Sequence, residues 1–224
     1  ATAVADAGFP VVATSSRAIA QLLGEADDDT SDPEVIFAFI ARIARAVSAP
    51  VTADLEAGYR LPAPELVDRI LAAGVAGCNL EDSDHHGGGV LMDAERQAVY
   101  LADVRAAADK RRVHIVINAR VDTFIQRSDD QSNPVADTVR RACLYLEAGA
   151  DCVYPIAVSQ HEDAAALTQA IPGPVNLLAR RGGLTVAALI GLGARRISFG
   201  SGIFGLLGER HAQILQALAR GDDL

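Results

Sequence analysis

Residues 51–60 read VTADLEAGYR, a short apolar run that ends in two carboxylates two positions apart, Asp54 and Glu56, with Gly58 turning the chain just beyond. Charge confined to the C-terminal end of an otherwise apolar strand points to a parallel α/β sheet. There the middle of each strand is covered on both faces, and the C-terminal ends converge on the edge where ligands bind. The layout recurs. Candidate strands are PVVAT (10–14), PVTAD (50–54), VAGCNLE (75–81), VHIVINAR (113–120), DCVYP (151–155), PVNLL (174–178) and RRISFG (195–200).

Between these runs the apolar period becomes helical, over 33–48, 63–73, 93–109, 134–148, 159–170, 184–192 and 204–219. In the first, Val35, Ile36, Phe39, Ile40, Ile43 and Val47 make one stripe. Asp32 before Pro33 is an N-cap followed by proline at the first helical position. AAGVAG, EAGAD and GLGAR share a glycine that ends a helix just before the next strand. Strand and helix alternate along all 224 residues without a low-complexity linker, so a single domain over 1–224 is expected. Its sheet is parallel, either open and doubly wound or closed into a barrel. The seven strands are one short of a (β/α)8 TIM-type barrel. ATAVADAG at the start reads as the tail of a first helix whose strand lies upstream. Either the first strand is absent from the chain or the sheet is not a closed barrel.

Twenty Lys and Arg against 29 Asp and Glu give a net charge of −9, which argues against nucleic acid and anionic membrane as partners. No apolar run approaches the roughly 18 residues that span a bilayer, and the N-terminus lacks the basic start of a signal peptide. Cys78, Cys143 and Cys152 lie in apolar segments without metal-ligand spacing, as reduced thiols of a cytoplasmic protein would.

Four strands end in polar groups: Ser15 and Ser16 after the first, Asp54 and Glu56, Glu81 and Asp82, then Arg120 and Asp122. Clustered carboxylates raise one another's pKa unless a cation neutralises them. Oxygen donors without His or Cys suit Mg²⁺, with Mn²⁺ as the alternative. Mg²⁺ takes few direct carboxylates, so Asp54 is the expected direct ligand, and Glu56 and Glu81 hold its water shell. Arg120 suits a carboxylate or phosphoryl group. Ser15 and Ser16 precede RAIAQLL, a helix start that favours an anion. An ion plus two anion-binding elements describes a small oxo-acid or a phosphorylated acid as substrate.

GFPVVATSS, PVTADLEAGY, GCNLEDSD, VINARVDTFI, AGADCVYPI, PVNLL and RISFGSGIF, in this order, resemble the blocks of the isocitrate lyase/phosphoenolpyruvate mutase superfamily. The resemblance runs from about residue 7 to residue 205. It implies a (β/α)8 barrel, a homodimer or homotetramer often with the last helix swapped between subunits, Mg²⁺, and an enolpyruvate-like intermediate. By position it gives Asp54 as direct metal ligand and Glu56 and Glu81 as water-holding acids. Asp27 in LGEADDD becomes one more acid near the metal. Ser15 and Ser16 become the segment that holds the substrate carboxylate, Arg120 the arginine facing the group that is cleaved, and Asn176 in PVNLL a further substrate-binding candidate. Two departures stand out. The lid stretch SDHHGGGVLMD has neither the cysteine of the lyases nor the lysine, threonine and asparagine of the mutases and phosphonopyruvate hydrolases, and GYR replaces GYG.

The simplest reading of His85, His86 and Gly87–Gly89 is a flexible polar loop. The sharper one makes His86 the replacement acid/base, alongside Arg120 and Glu81 as catalytic groups, with the glycines as hinges. ARRGGL (179–184) reads as a solvated turn, and SFGSGIF (198–204) as a close-packed strand-to-helix turn. The expected activity is Mg²⁺-dependent C–C cleavage or decarboxylation of a 2-oxo or 2-hydroxy (di)carboxylic acid. The alternatives are P–C bond mutase or hydrolase chemistry and a non-catalytic oxo-acid-binding protein on the same scaffold.

Overall fold

The computed structural model describes residues 1–126 and 133–222. A short helix α1 (Thr2–Asp6) leads into β1 (Val12–Ala13), α2 (Ser16–Leu23), α3 (Pro33–Arg45), β2 (Val51–Asp54), α4 (Ala63–Ala73) and β3 (Gly77–Glu81). A hairpin follows, β4 (Ser83–Asp84) and β5 (Val90–Leu91), with one 3₁₀ turn at its tip (His85–Gly87). Then come α5 (Ala94–Lys110), β6 (Val116–Val121), α6 (Pro134–Glu147), β7 (Cys152–Pro155) and α7 (His161–Ala170). The chain continues through β8 (Asn176–Leu178), α8 (Val186–Gly191), β9 (Arg196–Ser198) and α9 (Gly202–Ala219). The seven strands and seven helices expected from the periodicity are all present, and their ends move by at most a few residues. The β4–β5 hairpin was not expected: SDHHGGGVLMD is too polar and glycine-rich to read as paired strands.

β1, β2, β3, β6 and β7 form one parallel sheet in that order, and β8 and β9 form a parallel pair. A single bridge, Val153 to Val175, joins the two groups. The sheet curls into a partial barrel. Among the described residues no pairing joins β9 to β1, so the curled part of a barrel is shown and its closure into a (β/α)8 ring is not. Strand–helix alternation is common to open and closed sheets, which is why it could not decide between them.

Register sorts the side chains. Asp54, Asn79 and Asn118 lie side by side on β2, β3 and β6, and Glu81, Arg120 and Tyr154 on β3, β6 and β7. Alternation puts Ala53, Cys78, Leu80, Ile117, Ala119 and Val153 on the opposite face. There they join the buried core with Ile36 and Ile40 of α3, Leu66, Val67 and Ile70 of α4, and Leu101 and Val104 of α5. One face is thus apolar and helix-covered, while the inner face is polar.

Local signals explain the helix ends. Asp32 Oδ1 accepts from Glu34 N at 2.9 Å, so the N-cap read from the sequence holds. Gly74, Gly149 and Gly193 all have positive φ, as helix-ending glycines require. α9 is different: none of its residues is buried, and Ile203, Leu206, Leu207, Leu215 and Leu218 are exposed. No helix among the described residues is long and apolar enough to cross a membrane.

The loop after β2 is the most constrained part of the backbone. Glu56, Tyr59 and Arg60 have φ of 50°, 52° and 55°, left-handed values that side chains rarely adopt. Glu81 N donates to Glu56 O at 2.9 Å and Gly58 N to Leu55 O at 2.8 Å, so β3 and the loop itself hold this shape. Gly58 sits at φ 98°, and a Cβ there would lie 2.6 Å from the Tyr100 hydroxyl, which donates to Leu61 O. Gly58→Ala is therefore expected to cost about 1–3 kcal/mol, combining overpacking with backbone strain. Urea unfolding of the variant should show a lower midpoint at unchanged slope, and an unchanged midpoint would mean that the loop adapts freely.

Candidate active site

The end of β2 delivers Asp54 to the inner face. Its Oδ2 accepts from both the backbone N–H and the hydroxyl of Ser16, each at 3.2 Å, and its Oδ1 from Asn79 Nδ2 at 3.4 Å. Asn118 Nδ2 continues the row to Asn79 Oδ1 at 2.7 Å. From below, Thr14 Oγ1 accepts from Asp54 N at 2.9 Å. The two serines differ in what they touch. Ser16 orients Asp54, and Ser15 caps α2 by accepting from Ala18 N at 3.3 Å.

Glu56 is buried and held by a second acid that the sequence left unassigned. Asp29, itself buried at φ 58°, donates its backbone N–H to Glu56 Oε2 and accepts from Tyr59 N at 2.8 Å. Asp27 is exposed, although its charge still bears on Glu56. Asp29 is thus the member of the acidic run 27–29 that docks into the loop after β2. Three adjacent acids carry no periodicity that could have singled it out. Burial raises Glu56 to about 8, against the Asp29 N–H and reinforced by the charges of Asp27, Glu81 and Asp29. Burial also raises Asp29.

Glu81, at the end of β3, is almost fully buried. Arg120 Nη1 pairs with its Oε2, and His85 Nε2 with its Oε1. Gln97 Nε2 of α5 holds the Glu81 carbonyl at 3.0 Å. Burial pushes the Glu81 carboxyl up, and Arg120 and His85 oppose that push. Arg120 is gripped from its other side by Asp122, Nε to Oδ1 at 2.7 Å and Nη2 to Oδ2 at 2.8 Å. This forked contact fixes the guanidinium plane. Ser83 Oγ supports Asp122 Oδ2 at 2.6 Å, and Asp82 Oδ1 accepts from Asp122 N at 2.9 Å. The sequence placed Asp82 and Asp122 at strand ends without a role. Their role is to hold Arg120.

The hairpin β4–β5 folds back over the cluster. His85 meets Glu81, and His86 Nε2 lies 3.3 Å from Asp29 Oδ2. Both histidines, not His86 alone, reach the carboxylates. Its bond to Glu81 raises His85 to about 9. Asn176 is fully buried, next after the Val153–Val175 bridge and so in the row of Glu81, Arg120 and Tyr154. Its amide exchanges two hydrogen bonds with Ser198, at 2.9 and 3.1 Å. Asp54, Glu56, Glu81, Arg120, Ser16 and His86 are thereby brought to one face. Asn176 lies further along the wall, and Asp27 stays at the rim. Among the described residues no three His, Cys, Asp or Glu side chains stand as a ready set of metal ligands.

The family model for phosphoenolpyruvate phosphomutase matches residues 1–219. An uncharacterised protein of Mycobacterium tuberculosis is 32% identical over 219 residues, covering 97% of this chain and 80% of that protein. Oxaloacetate decarboxylase 2 of Pseudomonas putida is 28% identical over 77% of this chain and 57% of its own length, so the chain spans little more than half of that enzyme. A crystal structure from Burkholderia cenocepacia, provisionally assigned as a phosphonomutase, superposes with a TM-score of 0.89 at 34% identity, over 96% of this chain and 88% of that one.

The raised groups set a pH dependence. Glu56, raised from 4.5 to about 8, stabilises the fold fully below pH 4.5, and this contribution is lost as pH rises through about 8. His85, raised from 6.5 to about 9, contributes fully below pH 6.5 and loses its contribution through about 9. Both signs agree. In EDTA the melting temperature should fall as pH rises from 5 to 9, and Glu56→Gln should flatten the fall. A wild-type curve flat across this window would contradict the assignment.

Proposed function

The chain belongs to the phosphoenolpyruvate mutase/isocitrate lyase superfamily, whose members include lyases, decarboxylases and mutases, and we propose that it cleaves or decarboxylates a small 2-oxo or 2-hydroxy (di)carboxylic acid with the help of Mg²⁺. The observation that carries this reading is the meeting of Asp54, Glu56, Glu81 and Arg120 at neighbouring strand ends beneath two lid histidines. Charge and donor type fit a hard divalent ion. Asp29, Asp54, Glu56, Glu81 and Asp122 carry five negative charges when ionised. Arg120 and the two histidines supply at most three positive ones, so full ionisation would leave an excess of two. The upward shifts of Glu56, Glu81 and Asp29 are what burial and that uncompensated charge produce while no cation is bound. The donors are carboxylate oxygens, and an ion that keeps most of its waters needs only one of them directly. A ready-made triad of ligands is therefore not required. We assign Asp54 as the direct ligand and Glu56, Glu81 and Asp29 as the acids that hold the ion's waters, with Asp27 adding charge from the rim.

When bound, Mg²⁺ supplies neutralisation of these acids and polarisation of the substrate's carboxylate and 2-oxo oxygens. The chain's own groups do the rest. The turn at Ser15 and Ser16 opens α2, and its N-terminus suits the substrate's first carboxylate. Arg120 has more donors than its contacts to Glu81 and Asp122 use. Those left over face the departing group. When a 2-oxo acid is decarboxylated, the far carboxylate leaves as CO2 and the electron pair of the broken C–C bond stays on the carbon next to the 2-oxo group. A 2-hydroxy acid first gives its hydroxyl proton to a carboxylate of the cradle, and as its 2-oxo product forms the electron pair leaves with the departing carbon. A lid histidine, His86 or His85, then delivers a proton to the carbon that holds the pair. Asn176 lines the same wall. P–C bond chemistry is the runner-up reading, because it would use the same cradle and the same spare donors of Arg120. We read the curled sheet as part of a family barrel, and the exposed apolar residues of α9 support a homodimer or homotetramer.

A thermal-shift titration with Mg²⁺ and oxalate, a mimic of the enolpyruvate anion, tests the cradle. Oxalate at about 100 times its dissociation constant should stabilise the protein by roughly 2.7 kcal/mol, with Mg²⁺ only. Asp54→Ala should abolish the effect while the chain stays folded. A folded wild type that ignores both ligands would remove the enzyme reading. Turnover of 2-oxo and 2-hydroxy dicarboxylates should then be lost in Arg120→Ala, and turnover of phosphonopyruvate in place of these acids would favour P–C chemistry.

A further inference from the structure

Beneath the lid lies a buried ionic cluster that the proposed chemistry does not use. Asp82, wholly buried between β3 and β4, accepts on Oδ2 from Arg141 Nη1 at 3.1 Å and from the Tyr145 hydroxyl at 2.7 Å. Both partners stand on α6, on the far side of the sheet from the cradle. Arg141 Nε is held by Asp137 at 2.9 Å, and its Nη1 also donates to Met92 O at 2.9 Å. Met92 N in turn donates to Asp82 O at 2.8 Å. Asp82 and Met92 are the two feet of the lid, the residues immediately before β4 and immediately after β5. Arg141 therefore touches both feet at once. Through Asp82 Oδ1 it also supports the backbone N–H of Asp122, the acid that fixes Arg120.

A buried arginine–carboxylate pair is poor evidence for stability, since desolvating two charges offsets much of their attraction. Its geometric effect is firmer. The lid carries His85 and His86 on a span of nine residues between Asp82 and Met92, and any tilt of its base is amplified at the tip. Asp122 is the sole forked anchor of Arg120 among the described residues. One side chain is thus connected both to the base of the lid and, through Asp82 and Asp122, to the arginine.

We propose that Arg141, which lies outside the cradle, is the positioning residue of this site: it staples the two feet of the lid hairpin to α6 and, through Asp82 and Asp122, sets the orientation of Arg120. This rests on the reading of Arg120 as the group facing the substrate's far end, whereas the lid half stands without it.

Two probes separate the parts. Oxalate fills only the metal-facing end of the cradle, whereas malate carries a second carboxylate toward Arg120. With Mn²⁺ present, Arg141→Met should keep oxalate affinity close to wild type and lose malate affinity by about tenfold or more, the usual scale for removing a group that orients a ligand-binding residue. Arg120→Ala should show the same split, and Arg141→Lys, which keeps a donor beside Asp82, should recover part of the loss. Hydrogen exchange at residues 83–92 should accelerate in Arg141→Met well below its melting temperature while the core strands stay protected. A purely structural role would lower both affinities together and speed exchange throughout. Should Arg141→Met fail to fold, Tyr145→Phe removes one donor to Asp82 and should change lid exchange and malate affinity in the same direction by less. A folded variant with wild-type malate affinity and wild-type lid exchange overturns the proposal. If the wild type binds neither probe, the oxo-acid reading fails, and lid exchange alone then decides the staple.

Discussion

Four carboxylates crowd the ends of neighbouring strands and Asp29 joins them from the loop between α2 and α3, and the rest of the site is arranged around their mutual repulsion. Two unit charges about 4 Å apart interact by roughly 4 kcal/mol at an effective dielectric near 20. Fixed positive charge is therefore required, and the fold supplies it sparingly. Arg120 lies between Glu81 and Asp122, and the lid brings His85 to Glu81 and His86 to Asp29. Around Asp54 and Glu56 no fixed positive charge is supplied among the described residues. Burial with the neighbouring acids drives Glu56 up to about 8, so that without a cation it holds its proton at neutral pH. The proposed divalent cation would balance the charge of these acids.

Holding such a cluster still takes backbone strain and buried hydrogen bonds in place of apolar packing. Glu56, Tyr59, Arg60 and Asp29 all sit in left-handed conformations, and each of the two loops involved is tied to the other: Asp29 N to Glu56 and Tyr59 N to Asp29. The strain is tolerated because Leu55 and Tyr59 of the loop after β2 are buried in the core. The apolar core lies on the helix-covered face of the sheet, while the inner face is polar.

Much of this was legible in the chain. The seven strands that build the curled sheet stand out because they are short, mostly apolar runs whose ends are marked by proline, glycine or charge. Asp54, Glu81 and Arg120 stand out for the same reason: charge at the end of a buried strand needs a purpose. Sheet closure was not legible, since alternation is shared by open and closed sheets. Asp29 was hidden among three consecutive acids, and only the docking of its backbone against Glu56 tells it from Asp27. The β4–β5 hairpin was hidden by three glycines and two histidines, which resemble a loose loop until backbone pairing at Ser83–Leu91 and Asp84–Val90 is seen. The Arg141 cluster was hidden because an arginine in a helix reads as a solvated face unless its buried acid is known.

The central claim, that the acids at the strand ends form a cradle for one hard divalent ion centred on Asp54, is tested most directly by anomalous diffraction from crystals soaked in Mn²⁺. The account predicts a single strong peak at about 2.2 Å from an Asp54 carboxylate oxygen, with waters linking the ion to Glu56 and Glu81. A peak coordinated by His85 and His86 in place of Asp54, or no peak within the cluster at saturating Mn²⁺, would contradict it.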